Sequence, residues 1–235
     1  MNELRTKNSK NIYRFLKTSL DLFFAIFFIL LGLPVLIVIS ILVKFSSRGS
    51  IFYLQRRIGK NKKHFYCIKF RTMHPEAEYM LENLLDKDVE IKKEYENNHK
   101  IKNDPRITQI GKFLRKSSLD ELPQLINVLK LEMSIIGPRP IVDDEVSKYG
   151  ETISKVLSLK PWITGLWQVS GRNNLSYKRR VFLDNLYVEN YDFIMDLRII
   201  IRTFGVLFFP MDRGAYWSKK TNIKVDFERW EISLF

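Results

Sequence analysis

One cysteine and three histidines are found in 235 residues, and these scarcities remove whole classes of protein. Cys67 has no partner for an internal disulfide, which fits a reducing compartment. It lies in the apolar run FYCIKF and reads as packing. His64, His74 and His99 are scattered without metal-ligand spacing, so no structural zinc site is expected. Acidic residues are short as well, 26 Asp and Glu against 39 Lys and Arg, for a formal net charge of +13. Such an excess implies an anionic partner: nucleic acid, an anionic membrane surface or a phosphorylated substrate. The basic start of the chain lacks a small-residue cleavage site, so it is not expected to be a signal peptide. Nothing has the pattern of a nucleic-acid module or of a basic helix carrying stacking aromatics, which argues against nucleic acid as that partner. Hydrophobic residues make up 46% of the chain, enough for one good core and an appended membrane element.

That membrane element is the run LFFAIFFILLGLPVLIVISILV, residues 22–43, which is uncharged and long enough to cross a bilayer. Basic residues flank both ends: Arg5, Lys7, Lys10, Arg14 and Lys17 before it, then Lys44, Arg48, Arg56, Arg57, Lys60, Lys62 and Lys63 after it. A spanning helix keeps its positive charge mainly on the cytoplasmic side. Pro34, close to Gly32, interrupts the run, and Leu22 to Leu33 as a helix reach only about 18 Å of the roughly 30 Å hydrocarbon core. A helix that enters, breaks at Pro34 and returns to the same face accounts for both facts. The expected organisation is a basic segment over 1–18, a re-entrant membrane helix over 19–43 and a domain over 44–235.

Downstream, Ile51 to Leu54 and Phe65 to Phe70 are strand-like runs joined by the turn signal Gly59-Lys60-Asn61, which predicts a β-hairpin. Lys69 and Arg71 alternate with Phe70 and so share a face. They are either the solvated side of a half-buried strand or two cations aimed at a pyrophosphate. Residues 75–102 are polar and charged; Met80, Leu81, Leu84 and Leu85 predict one short helix within a solvated excursion. Asp104 reads as the cap of a turn into a helix ending near Lys116.

The densest chemistry lies in RKSSLDELPQLINVLKLEMSIIGPRP, residues 115–140. Leu122, Leu125, Ile126, Leu129 and Met133 recur at helical spacing, and Pro123 is tolerated only in a first turn, so the helix is expected to begin near Asp120. Asp120 and Glu121 would then sit at a helix N-terminus, where free N–H groups keep carboxylates ionised and attract phosphate. Ser118 with Glu121 also fits an ordinary capping box. Gly137-Pro138-Arg139-Pro140 is a stiff turn presenting one guanidinium. Ionised carboxylates among cations suit metal-assisted phosphoryl transfer.

Beyond the turn, a helical stretch is expected over Asp143 to Leu159, then a glycine-punctuated segment, Pro161 to Arg172. There Trp167 and Val169 pack, while Gln168 and Arg172 are free to face a ligand or to brace the site. Residues 177–191 form an amphipathic helix, basic at Lys178, Arg179 and Arg180. Phe193 to Phe209 is very apolar but carries Asp196, Arg198 and Arg202, which argue for a helix lying in the membrane interface rather than crossing it. The tail from Met211, basic and aromatic, suits lipid headgroups.

SLDELPQL followed by GPRP, with KFRTM upstream and ITGLWQVSGR downstream, resembles the bacterial sugar transferase family, the monotopic phosphoglycosyl transferases. The resemblance runs from about Asp21 to about Arg202 in matching order. Two departures are visible: Leu33 stands where relatives often carry serine before the proline, and Pro161-Trp162 where they usually have proline-glycine. The resemblance implies a helix-rich α+β monotopic membrane protein with a re-entrant helix-break-helix, a small hairpin and in-plane amphipathic helices. It implies transfer of a sugar 1-phosphate from a UDP-sugar to a polyprenyl phosphate at the cytoplasmic face of the bacterial inner membrane. Asp120 would be the nucleophile, and Glu121 a metal or proton-handling partner. Lys69, Arg71, Arg115 and Arg139 would bind phosphate, and Mg²⁺ would lie at the carboxylates. Anionic lipids are expected partners, and a homodimer is compatible with the reading. The competing reading is a membrane-anchored basic protein that binds nucleic acid or anionic lipid.

Overall fold

The computed structural model describes residues 2–98, 101–171 and 175–208. Their architecture is helix-rich, with four short strands in two separate two-stranded sheets. The chain divides into two compact units. An anchor unit takes in Ser19–Arg57 and Phe65–Leu131; a C-terminal unit takes in Met1–Thr18, Ile58–His64 and Glu132–Phe235.

Helix α1, Asn2–Ser46, carries the apolar run and continues through Pro34 without interruption. The expected break of secondary structure is therefore absent. Proline removes one N–H donor and its hydrogen bond to the carbonyl four residues back. The flanking Leu, Ile, Val and Phe side chains offer the backbone no competing partner, so a single lost bond does not end the helix. The segment Ile12–Ser46 is long and apolar enough to cross a membrane, and only 11% of its most apolar window is buried. Phe23, Leu30, Leu31, Ile37 and Val38 are all more than half exposed. A surface this apolar is unstable in water and marks membrane association.

Each end of that run is fastened. In the C-terminal unit, the buried Asp196 carboxylate accepts from Tyr13 Oη at 2.6 Å, Lys17 Nζ at 2.5 Å and Tyr187 Oη at 2.7 Å. Arg14 Nε donates to Tyr191 Oη at 2.8 Å. In the anchor unit, Ile39 and Val43 pack with Phe70 and Leu114 in one buried cluster.

The expected hairpin is present as β1, Phe52–Ile58, and β2, His64–Phe70. Its turn is a 3₁₀ segment with Asn61 and Lys62 at positive φ. Residues 75–102 hold two helices rather than one, α2 (Ala77–Lys87) and α3 (Val89–Asn98). The sequence VEIKKEYENN gives α3 almost no apolar stripe, so periodicity could not reveal it. Helix α4, Gln109–Ser117, starts at Thr108, whose hydroxyl accepts from Gly111 N at 2.9 Å. Helix α5 is short, Gln124–Leu129. Its Asn127 is fully buried and clamps β2, accepting from Ile68 N at 3.0 Å and donating to Tyr66 O at 2.8 Å.

In the C-terminal unit, β3 (Ser134–Ile136) pairs in parallel with β4 (Trp162–Thr164) in the register Ser134↔Trp162 and Ile136↔Thr164. Between them the expected long helix is broken into α6 (Val146–Tyr149) and α7 (Ile153–Val156), with 3₁₀ turns around them. Gly150, at φ +52°, interrupts the helical hydrogen bonding. Next come α8 (Leu166–Val169), α9 (Tyr177–Asn190) and α10 (Phe193–Phe208). Helix α10 buries Met195, Asp196 and Ile199 and exposes Phe193, Ile194, Leu197, Ile201 and Phe204. It thus has one apolar face in the core and a second one uncovered. The aromatic tail from Met211 lies outside the described residues.

Replacing Asn127 with alanine would leave the Ile68 N–H and the Tyr66 carbonyl without side-chain partners and open a small cavity. The expected loss is about 2–4 kcal/mol, read as a lower midpoint of thermal unfolding in detergent. An unchanged midpoint would show that the clamp contributes nothing.

Candidate active site

The site of the anchor unit is built where β2 runs out. Beyond Phe70 the chain pairs with the approach to α4: Thr108 N donates to Thr72 O at 3.0 Å and His74 N to Arg106 O at 2.9 Å, around an antiparallel bridge between Met73 and Ile107. Gly111 lies so close that an added Cβ would stand 2.0 Å from Thr72 O. Only glycine permits that approach. With Thr72 fixed, its hydroxyl accepts from Arg115 Nε at 2.9 Å and aims the guanidinium.

Asp104, expected to cap a turn, does so through Arg106 N at 3.0 Å. It also forms a buried bidentate pair with the Arg106 guanidinium, at 2.9 Å and 2.6 Å. The Arg106 guanidinium beside it holds the Asp104 carboxyl below the ordinary range in spite of burial, the largest influence, which acts upward.

Asp120 and Glu121 lie on a single 3₁₀ turn, Leu119–Glu121, entered through Ser118 at φ +59°. Helix α5 begins only at Gln124, and no capping box forms at Ser118. The expected helix N-terminus at Asp120 is thus replaced by a tight turn. Pro123, without an N–H, cannot bond back to Leu119 or Asp120, and the helix has only six residues to build a dipole. The Ile126 and Leu129 side chains, expected in the core, are 38% exposed. Met133 is buried beyond the end of α5.

Lys69 Nζ lies 3.0 Å from Glu121 Oε1, with both side chains partly buried. Beside this pair the Asp120 carboxyl is pushed up to about 6, first by burial and then by the Glu121 charge. Lys69 and Arg115 pull it back down, but by less. The helix terminus expected to keep Asp120 well ionised is missing, and burial next to a like charge wins. Asp120 is therefore a poised carboxylate, largely ionised at neutral pH and held between two cations.

Four expected residues are brought together here: Lys69, Arg115, Asp120 and Glu121. Arg71 is not among them. Its guanidinium is buried and donates to Ser47 O at 2.6 Å and Val43 O at 3.3 Å, the carbonyls at the end of α1. Strand alternation put it beside Lys69, but β2 ends at Phe70 and the next residue turns toward the helix end. Arg139 belongs to the C-terminal unit, where its Nη2 lies 3.9 Å from Glu145 Oε1. For Gln168, left open between facing a ligand and bracing the site, the amide is spent on its own turn, accepting from Gly165 N at 2.9 Å and donating to Ile163 O at 3.3 Å. Arg172 lies outside the described residues. Thr72 and Asn127 were missed by sequence reasoning. A single polar residue inside the apolar run LINVL was the available signal for Asn127; Thr72 offered none beyond its neighbours.

The description of the bacterial sugar transferase family matches residues 12–210. The chain belongs to that family. It is 44% identical over 200 residues to the exopolysaccharide production protein ExoY of Rhizobium meliloti, covering 85% of this chain and 88% of that one. An uncharacterized sugar transferase of Haemophilus influenzae is 48% identical over 204 residues, 86% of this chain and 42% of its own length. The undecaprenyl-phosphate galactose phosphotransferase of Salmonella typhimurium is 43% identical over 206 residues, 87% of this chain and 43% of that one. The chain thus spans less than half the length of the last two relatives.

Because the native carboxyl is raised, the folded state holds the Asp120 proton more tightly than the unfolded chain does. Its contribution to stability is present below the ordinary carboxylate value and is lost as pH rises through about 6. Carbon NMR of aspartate-labelled protein is expected to show this titration. Glu121→Gln should move it to lower pH by removing a like charge, and Lys69→Met to higher pH by removing a cation. Shifts of the same sign in both variants would contradict this electrostatic account.

Proposed function

We propose that this bacterial sugar transferase moves a sugar 1-phosphate from a UDP-sugar to a polyprenyl phosphate, an early membrane step in making a surface glycan. The observation that carries this reading is Asp120, partly buried and pushed up to about 6 beside the Lys69–Glu121 pair. An Asp120 oxygen attacks the β-phosphorus of the donor, and the bridging P–O bond breaks. UMP leaves with that electron pair, giving a phosphosugar ester on Asp120. An oxygen of the lipid phosphate then attacks the same phosphorus. The aspartyl O–P bond breaks, the carboxylate is regenerated, and the sugar leaves on a polyprenyl diphosphate. Lys69 and Arg115 bind phosphate oxygens as charge shifts from one to the next. Arg139 supplies a further guanidinium in this reading.

Among the described residues no group of three or more His, Cys, Asp or Glu is arranged to hold a metal. Two adjacent carboxylates do fit Mg²⁺, which binds through one or two carboxylates with waters and substrate phosphates filling the remaining positions. Asp120 and Glu121 would hold it, and the repulsion that raises Asp120 is what a dication would relieve. When bound, it would neutralise charge on the pyrophosphate. A basic protein that only binds nucleic acid or anionic lipid has no use for a carboxylate tuned in this way, and family membership favours the transferase.

The anchor reading that goes with this function is a shallow, re-entrant α1 with the catalytic residues on the cytoplasmic face. What supports it is the fastening of both ends of the apolar run, Tyr13 and Lys17 in one unit and Ile39 and Val43 in the other. Among the described residues no second helix is long and apolar enough to cross a membrane. The uncovered apolar face of α10 fits an interfacial position and contact with anionic lipid.

Incubating the purified chain with radiolabelled UDP-sugars and Mg²⁺, without lipid acceptor, should release UMP and leave label on the protein. Both should vanish in Asp120→Asn; label that survives there, or that maps to another residue, would falsify the covalent route. For the anchor, Asn8→Cys and Arg48→Cys should react with a membrane-impermeant thiol reagent from the same side of sealed vesicles. The buried Cys67 should give little background. Reaction from opposite sides would establish a spanning helix.

A further inference from the structure

The C-terminal unit sets a second arginine, Arg180, beside Arg139, and the reaction above gives it no role. Arg180 of α9 and Arg139 of the Gly137–Pro140 turn both lie on the indole of Trp167. Their guanidinium carbons are 5.0 Å and 5.3 Å from the ring centroid. Trp167 is 6% exposed and belongs to the core cluster with Leu183 and Tyr187, so the ring is a fixed support for both cations.

Counter-charge is thin. Arg139 has one carboxylate oxygen, of Glu145, at 3.9 Å. Arg180 feels the same Glu145 charge, which raises its guanidinium by less than burial and Arg139 lower it. Asp184 is close but committed: it accepts from Tyr149 Oη at 2.8 Å and from the Arg139 backbone N at 3.4 Å. Burial above all pushes its carboxyl up to about 7, which weakens it as a counter-charge. Burial and then the Arg139 charge push the Arg180 guanidinium down, a sign that the two cations oppose each other. Among the described residues, three buried donors have no acceptor, namely Arg139 Nε, Arg180 Nε and Trp167 Nε1. Unpaired buried donors and crowded cations cost free energy that an anion would offset.

We propose that Arg139 and Arg180, gathered at Trp167, form a two-pronged site for a phosphate-ester anion. Guanidinium groups stacked on an aromatic face keep their N–H edges free for bidentate bonding to phosphate oxygens. The proposal rests on the transferase reading for its choice of ligand. Two phosphate esters take part there, the nucleotide diphosphate of the donor and the phosphate of the lipid acceptor, and they share this chemistry. Arg180 is then a binding residue of the reaction, supplied by a helix whose basic surface would otherwise read as solvated decoration.

The test is equilibrium binding of UDP and, separately, of undecaprenyl phosphate in detergent micelles, to the full chain with Mg²⁺ present. Arg180→Ala should weaken one or both probes by about 10–100-fold, the worth of a lost charge-assisted hydrogen bond or two. Arg180→Lys, which keeps the charge but loses the planar fork, should fall between. The probe that weakens identifies the source of the phosphate. Both probes binding Arg180→Lys and Arg180→Ala within twofold of the parent would overturn the site, as would a parent chain that binds neither. If Arg180→Ala fails to fold, Arg180→Lys decides alone: weaker binding of either probe supports the site, and binding within twofold of the parent overturns it. Repeating the binding in Asp120→Asn separates the two proposals. Arg180-dependent binding without protein labelling in the parent would retain the anion site and discard the covalent route.

Discussion

The candidate site of the anchor unit hangs on the backbone of one residue, Thr72. Its carbonyl accepts the Thr108 N–H, its main chain sets the closest approach of α4 at Gly111, and its hydroxyl orients Arg115. A strand end and a helix start are locked through a residue with little freedom of its own, since a β-branched side chain is stiff at χ1. Lys69, three residues back near the end of β2, is thereby held in a fixed relation to Arg115. The two cations that bear on Asp120 come from elements that cannot drift apart without breaking that lock.

Within this frame the carboxylates are held in a compromise. A fully solvated Asp120 would be a weak nucleophile surrounded by water, and a fully buried one would be protonated at neutral pH. Partial burial beside Glu121 raises it to about 6, and the neighbouring cations stop the rise short of pH 7. The tight 3₁₀ turn matters here because it presents both carboxylates from consecutive residues with little helix dipole beneath them. The ionisation of Asp120 is set first by burial and by the neighbouring Glu121, and the cations brought from β2 and α4 moderate the rise.

Much of this was legible in the sequence. The hairpin, α4, α9 and α10 followed from periodicity and turn residues, and the grouping of Lys69, Arg115, Asp120 and Glu121 was what the family resemblance implied. What escaped is instructive in kind. Arg71 was misplaced because the period-2 rule was carried one residue past the end of a strand. The role of Gln168 stayed open because a side-chain amide can satisfy its own turn, and spacing does not reveal that. The helix start was placed four residues early, since Pro123 reads equally well as the residue that precedes α5. The β3–β4 pairing joins residues far apart in the chain through two three-residue strands, too short for alternation to register. The two arginines on Trp167 come from segments forty residues apart, a proximity that only tertiary structure creates.

The Arg71 contact reaches further than its own hydrogen bonds. Its guanidinium grips the final carbonyls of α1, while the neighbouring Thr72 steers Arg115 and Lys69 stands two residues earlier. No slack linker intervenes, so tilt or depth of the anchor in lipid is passed directly to the cations around Asp120. In the proposed transfer the bilayer would then act as a ruler, setting the height at which a lipid phosphate and a soluble donor meet.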